Sequence, residues 1–418
     1  MAVPAPERPA DFYRLYPDLE NTNYYRTGGY HPVHIGDIMH GRYRVVNKLG
    51  YGAYSTVWLV RDLRAGRYAS LKIIAAEAAN SASELDVLRH LKAVQANSPG
   101  IPGGEFVVKV FDDFTLDGPN GTHQCVVTEV LGPPLDLEPM EMAHSVYPID
   151  MAQRMVAQIA RGVAYLHRIG IVHGDLHPGN VLLYAPEIET WSDQDVQKYF
   201  RTPFRAQTRP NERYAQSPID DPHVPSYQVP PRVSGKLLRL CFAAAHVKIC
   251  DFGDSFLWAG EPRQVKLHTP AEYAAPEIIF RDPVTPAIDI WAMAILAHCL
   301  LSGGITLFET RDRLKKEAVK AMVLTLGKLP DKWWSRWGDR AEYFEDSGAR
   351  VTEDLAKDSE GMARRRTVLC MIFGVMGREE VARFEGLLRR MLRYESGDRL
   401  SAEGVVRSLP ANWMGGGE

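Results

Sequence analysis

Five cysteines, at positions 125, 241, 250, 299 and 370, are scattered through 418 residues without a single Cys-x-x-Cys pair. That spacing excludes a disulfide-stapled scaffold and a zinc ribbon, and it fits a reducing compartment, the cytoplasm or the nucleus. Long hydrophobic runs are also lacking: the most apolar stretch, IDIWAMAILAHCLLSGG, falls short of the about 20 residues a membrane helix requires and reads as a buried helix. The opening MAVPAPERPADFYRLYPDLE has no apolar core and carries acids, which argues against a secretory or transit peptide. Excess charge of one sign is missing too. A net charge of -3 leaves no broad basic surface for nucleic acid.

What is present is an ordinary folded composition, 45% hydrophobic and 24% charged, sufficient for more than one structural unit. Residues 1–40 are rich in Pro, Tyr and Gly without helical periodicity and read as an extended arm. From Tyr43, the β-branched runs YRVVNKLG, STVWLVRD and YASLKII, broken by glycine-bearing turns, predict a strand meander. SASELDVLRHLKAV then spaces Leu85, Leu88 and Leu91 as a helix does. Strands resume in FVVKVFDDFTLDG and HQCVVTEVLG. The periodic helix MAQRMVAQIARGVAYLHRIG follows, and the chain is mainly helical beyond it. Residues 185–236, punctuated by prolines, read as an inserted and partly irregular loop, and 411–418 as a tail.

Four short motifs carry chemistry. In LGYGAYSTVWLV, Gly50 and Gly52 sit in a turn between strands, where missing side chains let backbone N–H groups approach a phosphate. Lys72 lies on the next strand among apolar neighbours. Glu84 on the following helix is its expected carboxylate partner, with Glu77 as the fallback. In HGDLHPGN, Asp175 is placed to accept a hydroxyl proton and Asn180 to bind a metal ion. Seventy-one positions later, KICDFGDSF offers Asp251, a hard oxygen ligand suited to Mg²⁺. Together these predict phosphoryl transfer from ATP. HGDLHPGN alone fits both protein kinases and small-molecule kinases of the aminoglycoside and choline type.

HTPAEYAAPEIIF decides between them, because T-P-x-x-Y-x-A-P-E ends the activation segment of eukaryotic protein kinases. Glu277 then expects a buried arginine, for which Arg399 stands in place, and Asp289 matches the helix-borne Asp that fixes the catalytic-loop backbone. The sequence GGYHPVHIGDIMHGRYRVVNKLGYGAYSTVWLVRD resembles the SR-protein kinases, the CMGC-group serine/threonine kinases of Arg-Ser-rich splicing factors, in their compact fungal form. VVTEVLG resembles their hinge and VLTLGKLPDKWW the CMGC insert. The resemblance covers roughly residues 27–410, and residues 185–236 fall where that family carries a spacer.

The resemblance implies an α+β, two-lobed eukaryotic protein kinase fold: a small antiparallel β-rich N-lobe over 41–131 and a larger, mainly helical C-lobe over 132–410. It implies ATP and Mg²⁺ as cofactors, with Gly50, Gly52, Ser55, Val57, Lys72, Glu129 and Leu131 at the nucleotide. Thr128 would be the gatekeeper and Cys250 a further lining residue. Asp175, Lys72, Glu84, His177 and Thr269 would form the catalytic set, with Asn180 and Asp251 on the metal. Thr269 matches the residue that bridges to the catalytic Asp and marks Ser/Thr specificity.

Two departures follow. Gly174 stands where many kinases carry an Arg neutralised by an activation-segment phosphate, so no activating phosphate is expected. His177 replaces the Lys that contacts the γ-phosphate, a loss on the order of 2–4 kcal/mol at the transition state that predicts slow turnover. Expected substrates are serines in Arg-Ser-rich protein segments, drawn by the stretch 339–360 with its eight acids and three bases. No membrane or nucleic-acid partner is expected. The rival reading is a pseudokinase scaffold that binds nucleotide with little transfer.

Overall fold

The computed structural model describes residues 8, 9, 11–79, 82–136, 147–185, 188–200, 202–215, 221–308, 310, 315–351 and 376–414. Backbone packing divides the chain into two compact units, one of residues 1–95, 108–133 and 183–244 and another of 96–107, 134–182 and 245–418.

The first unit is built on a six-stranded sheet of β1 (Ile38–Met39), β2 (Tyr43–Gly52), β3 (Ser55–Asp62), β4 (Arg67–Ile74), β5 (Val110–Gly118) and β6 (Gly121–Thr128), in the order β1-β2-β3-β4-β6-β5. All neighbours are antiparallel, as short turns between consecutive strands require. Val45, Trp58, Val60, Leu71, Cys125 and Val127 pack together in its core. The helix α1 (Ala82–Asn97) follows β4 and buries Leu88 and Leu91 of the predicted spacing together with Val87, while Leu85 is half-buried.

The arm and the insert both belong to this unit. Residues 185–236, which the sequence reading assigns to the larger lobe as an irregular loop, contain a helix Asp193–Tyr199 and a two-stranded ribbon pairing Ala206–Gln207 with Tyr227–Gln228. Asn211 N–H donates to Phe12 O at 2.7 Å, and Phe12, Tyr13, Tyr25, Tyr30 and Val224 share one aromatic cluster. Gln228 bonds the hydroxyl of Thr22 and the carbonyl of Glu20. Glu20 in turn forms a fully buried ion pair with Lys48 on β2. Burial pushes the Lys48 ammonium below its ordinary range, and the Glu20 carboxylate opposes that shift.

The second unit is helical. The helix α2 (Ile149–Arg168) is amphipathic and turns Met155, Ile159, Val163 and Leu166 inward. It packs on the helix Ala287–Leu301, whose residues from Ile288 to Leu301 are all buried, in keeping with a sequence that is apolar apart from Asp289 and His298. No helix among the described residues is long and apolar enough to cross a membrane. Directly after α2, the strand Ile171–Val172 pairs antiparallel with Phe256–Leu257. This ladder fixes both chain segments that carry HGDLHPGN and DFG.

Candidate active site

In the first unit, strand register assembles the nucleotide candidates. Gly50 pairs with Val57, Val57 with Lys72, and Lys72 with Val126, so one row crosses four strands on a single face. Lys72 Nζ lies 2.8 Å from Glu84 Oε1. Glu77, the fallback, is instead held by Arg26, with both carboxylate oxygens 3.0 Å from Nη2. The hairpin tip places Ser55 opposite Gly52. A Cβ at Gly50 would meet nothing within 4 Å, and one at Gly52 only Ser55 Oγ at 3.9 Å. Packing within the chain therefore does not require these glycines. Space left open beside backbone amides is what an approaching phosphate needs.

The hinge candidates divide by what they have free. Glu129 N–H donates to Lys109 O at 3.0 Å, so Glu129 can offer a ligand only its carbonyl, which already accepts from Thr128 Oγ1 at 3.1 Å. Leu131 N–H has no bond within the chain among the described residues.

In the second unit, Asp289 organises the loop. Its carboxylate, 1% exposed, accepts from the backbone N–H of His173 (2.8 Å) and Gly174 (2.9 Å) and contacts His167 Nε2 at 2.9 Å. Burial alone raises its pKa, but the hydrogen bonds from His167 and the Gly174 backbone, with the nearby imidazoles, hold it below the usual carboxylate range. His173 Nδ1 accepts from Asp175 N–H at 3.3 Å and its Nε2 faces Cys250 O at 3.0 Å, so the ring spans the two motif segments. Its ring meets Phe252 at a tilt, with centroids 5.4 Å apart.

Asn180 Nδ2 donates to Asp175 O at 2.8 Å and to Asp175 Oδ2 at 3.0 Å. Asp175 Oδ1 is shielded from solvent and has no hydrogen-bond partner among the described residues. His177 accepts from Gly179 N–H on Nδ1 at 3.1 Å, which caps the turn, and presents Nε2 to Asp175 Oδ2 at 3.5 Å. Asp251 adopts a positive φ of 60°, and its Oδ1 accepts from Gly253 N–H at 3.3 Å. Cys250 N–H donates to Asn180 O at 2.9 Å and so ties the segment before Asp251 to Asn180.

Thr269 departs from expectation: its hydroxyl donates to Gly174 O at 2.6 Å, one peptide before Asp175, in place of the carboxylate. Glu277 and Arg399 meet as expected, at 2.6 and 2.8 Å. The remaining guanidinium donors reach the carbonyls of Ala287, Arg393 and Tyr394, leaving no donor idle.

A protein kinase domain family model matches residues 43–191 and 240–409. The chain is 31% identical over 394 residues to the serine/threonine-protein kinase SRPK of Physarum polycephalum, covering 92% of this chain and 89% of that protein. The chain belongs to the protein kinase family, in its SR-protein kinase branch. SRSF protein kinase 3 of Homo sapiens is 39% identical over 167 residues, 40% of this chain and 30% of that protein. Protein kinase dsk1 of Schizosaccharomyces pombe is 36% identical over 186 residues, 44% of this chain and 33% of its own length. These last two alignments span about a third of the relatives concerned.

The kinase is therefore a serine/threonine protein kinase, and the small-molecule phosphotransferase reading is set aside. The domain match skips residues 192–239, most of the insert that joins the first unit. Sequence reasoning missed Asp254, whose carboxylate accepts from His268 N–H and faces His268 Nδ1, both at 2.8 Å. The pairing of an Asp after DFG with a His beside Thr269 was the available signal. Of the acidic stretch 339–360, residues 352–360 lie outside the described residues, as does Cys370.

Proposed function

We propose that the kinase transfers the γ-phosphate of ATP to serine in Arg-Ser-rich protein segments, with Asp175 as the catalytic base. The observation that carries this reading is the buried, unpartnered Oδ1 of Asp175 beside an Oδ2 already fixed by Asn180. In this reading a serine hydroxyl entering the loop donates its hydrogen bond to the Asp175 carboxylate. As the serine oxygen bonds to the γ-phosphorus, the bond to the β,γ-bridging oxygen breaks, ADP leaves with the electron pair, and Asp175 takes the proton.

Lys72, steadied by Glu84, supplies fixed positive charge for the nucleotide phosphates, while Gly50, Gly52, Ser55 and Val57 border them. The Glu129 carbonyl and the Leu131 N–H serve the adenine. Asn180 and Asp251 fit Mg²⁺: the Asn180 amide nitrogen is committed to Asp175, which leaves its Oδ1 as a hard donor. No group of three or more His, Cys, Asp or Glu that could hold a metal alone occurs among the described residues, consistent with an ion that depends on substrate phosphates. Mg²⁺ bound there neutralises phosphate charge as it develops.

Substrate preference rests on the acidic stretch, of which Glu342, Glu345 and Asp346 are exposed and Asp339 half-buried, with Asp346 lying 3.4 Å from Arg340. Such a field attracts a basic chain. The test compares phosphate transfer to an Arg-Ser repeat peptide, a Lys-Ser repeat and a generic basic protein. A preference for Arg-Ser supports the assignment, and equal rates on all three remove it. Thermal stabilisation by nucleotide without transfer to any acceptor would instead support the scaffold reading. We place the enzyme in the cytoplasm or nucleus, in keeping with the absence of disulfides among the described residues.

A further inference from the structure

The N-terminal arm reaches the tip of the glycine-bearing hairpin through one hydroxyl. Tyr30 Oη donates to Gly52 O at 2.6 Å, and Ala53 O lies 3.1 Å from the same atom. A phenol has a single proton, so Gly52 takes the main bond and Ala53 shares it. The next carbonyl is also held: Tyr54 O accepts from Ala75 N–H at 2.8 Å.

Tyr30 is itself held from all sides. It is 3% exposed, meets Tyr24 and Tyr25 edge-on at 5.7 and 5.6 Å, and donates its own N–H to Tyr24 O. Its carbonyl accepts from Asn120 Nδ2, and Asn120 also bonds the carbonyl and the imidazole of His223 in the insert. Burial, reinforced by Glu20, lifts its hydroxyl to about 12, so it remains a donor at neutral pH. The arm and insert thus support one proton donor aimed at the hairpin tip.

Peptide planarity converts this contact into a statement about amides. In a trans peptide the C=O and the following N–H point in opposite directions. Turning Gly52 O toward Tyr30 turns Ala53 N–H away from it, and the bond to Ala53 O does the same for Tyr54 N–H. Without that hold, a turn containing Gly52 has wide conformational freedom. Two adjacent amides oriented alike are the elements of an anion-binding concavity.

We propose that Tyr30 is a positioning residue that aligns the Ala53 and Tyr54 amides for the nucleotide phosphates. The inference rests on the reading of residues 50–55 as the phosphate-binding turn. It assigns to the arm a role in nucleotide affinity, separate from phosphoacceptor recognition.

The test measures equilibrium binding of Mg-ATP and of adenosine to the full chain and to Tyr30→Phe, which keeps the ring and deletes only the hydroxyl. Loss of one such bond predicts roughly a three- to tenfold weaker affinity for Mg-ATP. Adenosine, which has no phosphate, should bind both proteins alike. In steady state the KM for ATP should rise by the same factor while kcat at saturation moves less. Equal weakening of ATP and adenosine would show a general structural defect and overturn the proposal, as would unchanged binding of both. Failure of the unaltered chain to bind Mg-ATP would remove the nucleotide reading itself and this inference with it. Tyr30→Leu, which also disrupts the aromatic packing, separates the two effects: it should lower the unfolding temperature, whereas Tyr30→Phe should leave it nearly unchanged.

Discussion

Asn180 grips Asp175 at two points, its amide nitrogen 2.8 Å from the Asp175 carbonyl and 3.0 Å from carboxylate Oδ2. The grip sets the plane of the carboxylate and leaves Oδ1 as the oxygen without a hydrogen-bond partner among the described residues. Asn180→Ala should therefore lower kcat at least about 100-fold, the scale of a misplaced general base. It should also cost roughly 1–3 kcal/mol of stability by stranding a buried carbonyl. Single-turnover kinetics and urea unfolding on the same protein check both figures.

His177 has a structural and an electrostatic duty in this geometry. Its Nδ1 caps Gly179 N–H at 3.1 Å, and its Nε2 faces Asp175 Oδ2 at 3.5 Å. Replacement by Lys restores a permanent charge and removes the cap. We expect His177→Lys to raise kcat by roughly tenfold or more, given that a fixed charge at the transition state is worth a few kcal/mol. Stability should fall by about 1 kcal/mol from the lost cap. An unchanged or lower kcat would contradict this role.

Gly174 cannot be exchanged for the more usual Arg without strain. Its φ is +79°, and a Cβ there would lie 2.6 Å from the Asp254 carbonyl oxygen. Left-handed backbone alone costs a side-chain-bearing residue about 1–2 kcal/mol. Gly174→Arg should lower the unfolding temperature without making activity depend on phosphorylation, and Gly174→Ala should reproduce the stability loss. The segment is instead held by Asp254 on His268 and by Thr269 on Gly174 O. Phosphatase treatment of the unaltered kinase should leave its activity intact.

Asp289 makes a pH-dependent contribution whose sign follows from its depressed pKa. A carboxyl held below its ordinary value of 3.8 adds stability that is complete above that value and is lost as pH falls through the lower, folded-state value. Asp289→Ala should cost on the order of 3–5 kcal/mol at neutral pH, because it strands the His173 and Gly174 amides and removes the partner of His167. The gap between mutant and parent should narrow in urea titrations carried out progressively below pH 4.

Much of this architecture was legible in the sequence, and the exceptions have physical causes. Strand alternation and leucine spacing encode local structure, so the sheet and α1 follow from periodicity, and the buried helix Ala287–Leu301 follows from an apolar run too short to span a membrane. Motif order placed Asp175, Asn180 and Asp251, and the Glu277–Arg399 pair followed from the resemblance. Spacing does not separate Glu84 from Glu77; the structure does, with Lys72 Nζ 2.8 Å from Glu84 and Glu77 held by Arg26 at the surface. Docking of the arm and insert was hidden for a different reason. Their anchors are an aromatic cluster and polar contacts such as Asn120 with His223, drawn from residues far apart in sequence, and no periodicity encodes such contacts. Proline-rich composition read as irregular loop, although the segment is ordered by partners distant in sequence. Thr269 was assigned to the right loop and to the wrong acceptor, because one peptide of displacement leaves no trace in a motif.

Asp175 as the catalytic base is tested by comparing phosphate transfer from labelled Mg-ATP to an Arg-Ser repeat peptide for the unaltered kinase and for Asp175→Asn. Measurable transfer by the former, a loss of about 10²–10⁴-fold in the latter and equal nucleotide binding by both are expected. Transfer that persists in Asp175→Asn, or none by either protein with nucleotide still bound, would contradict that role.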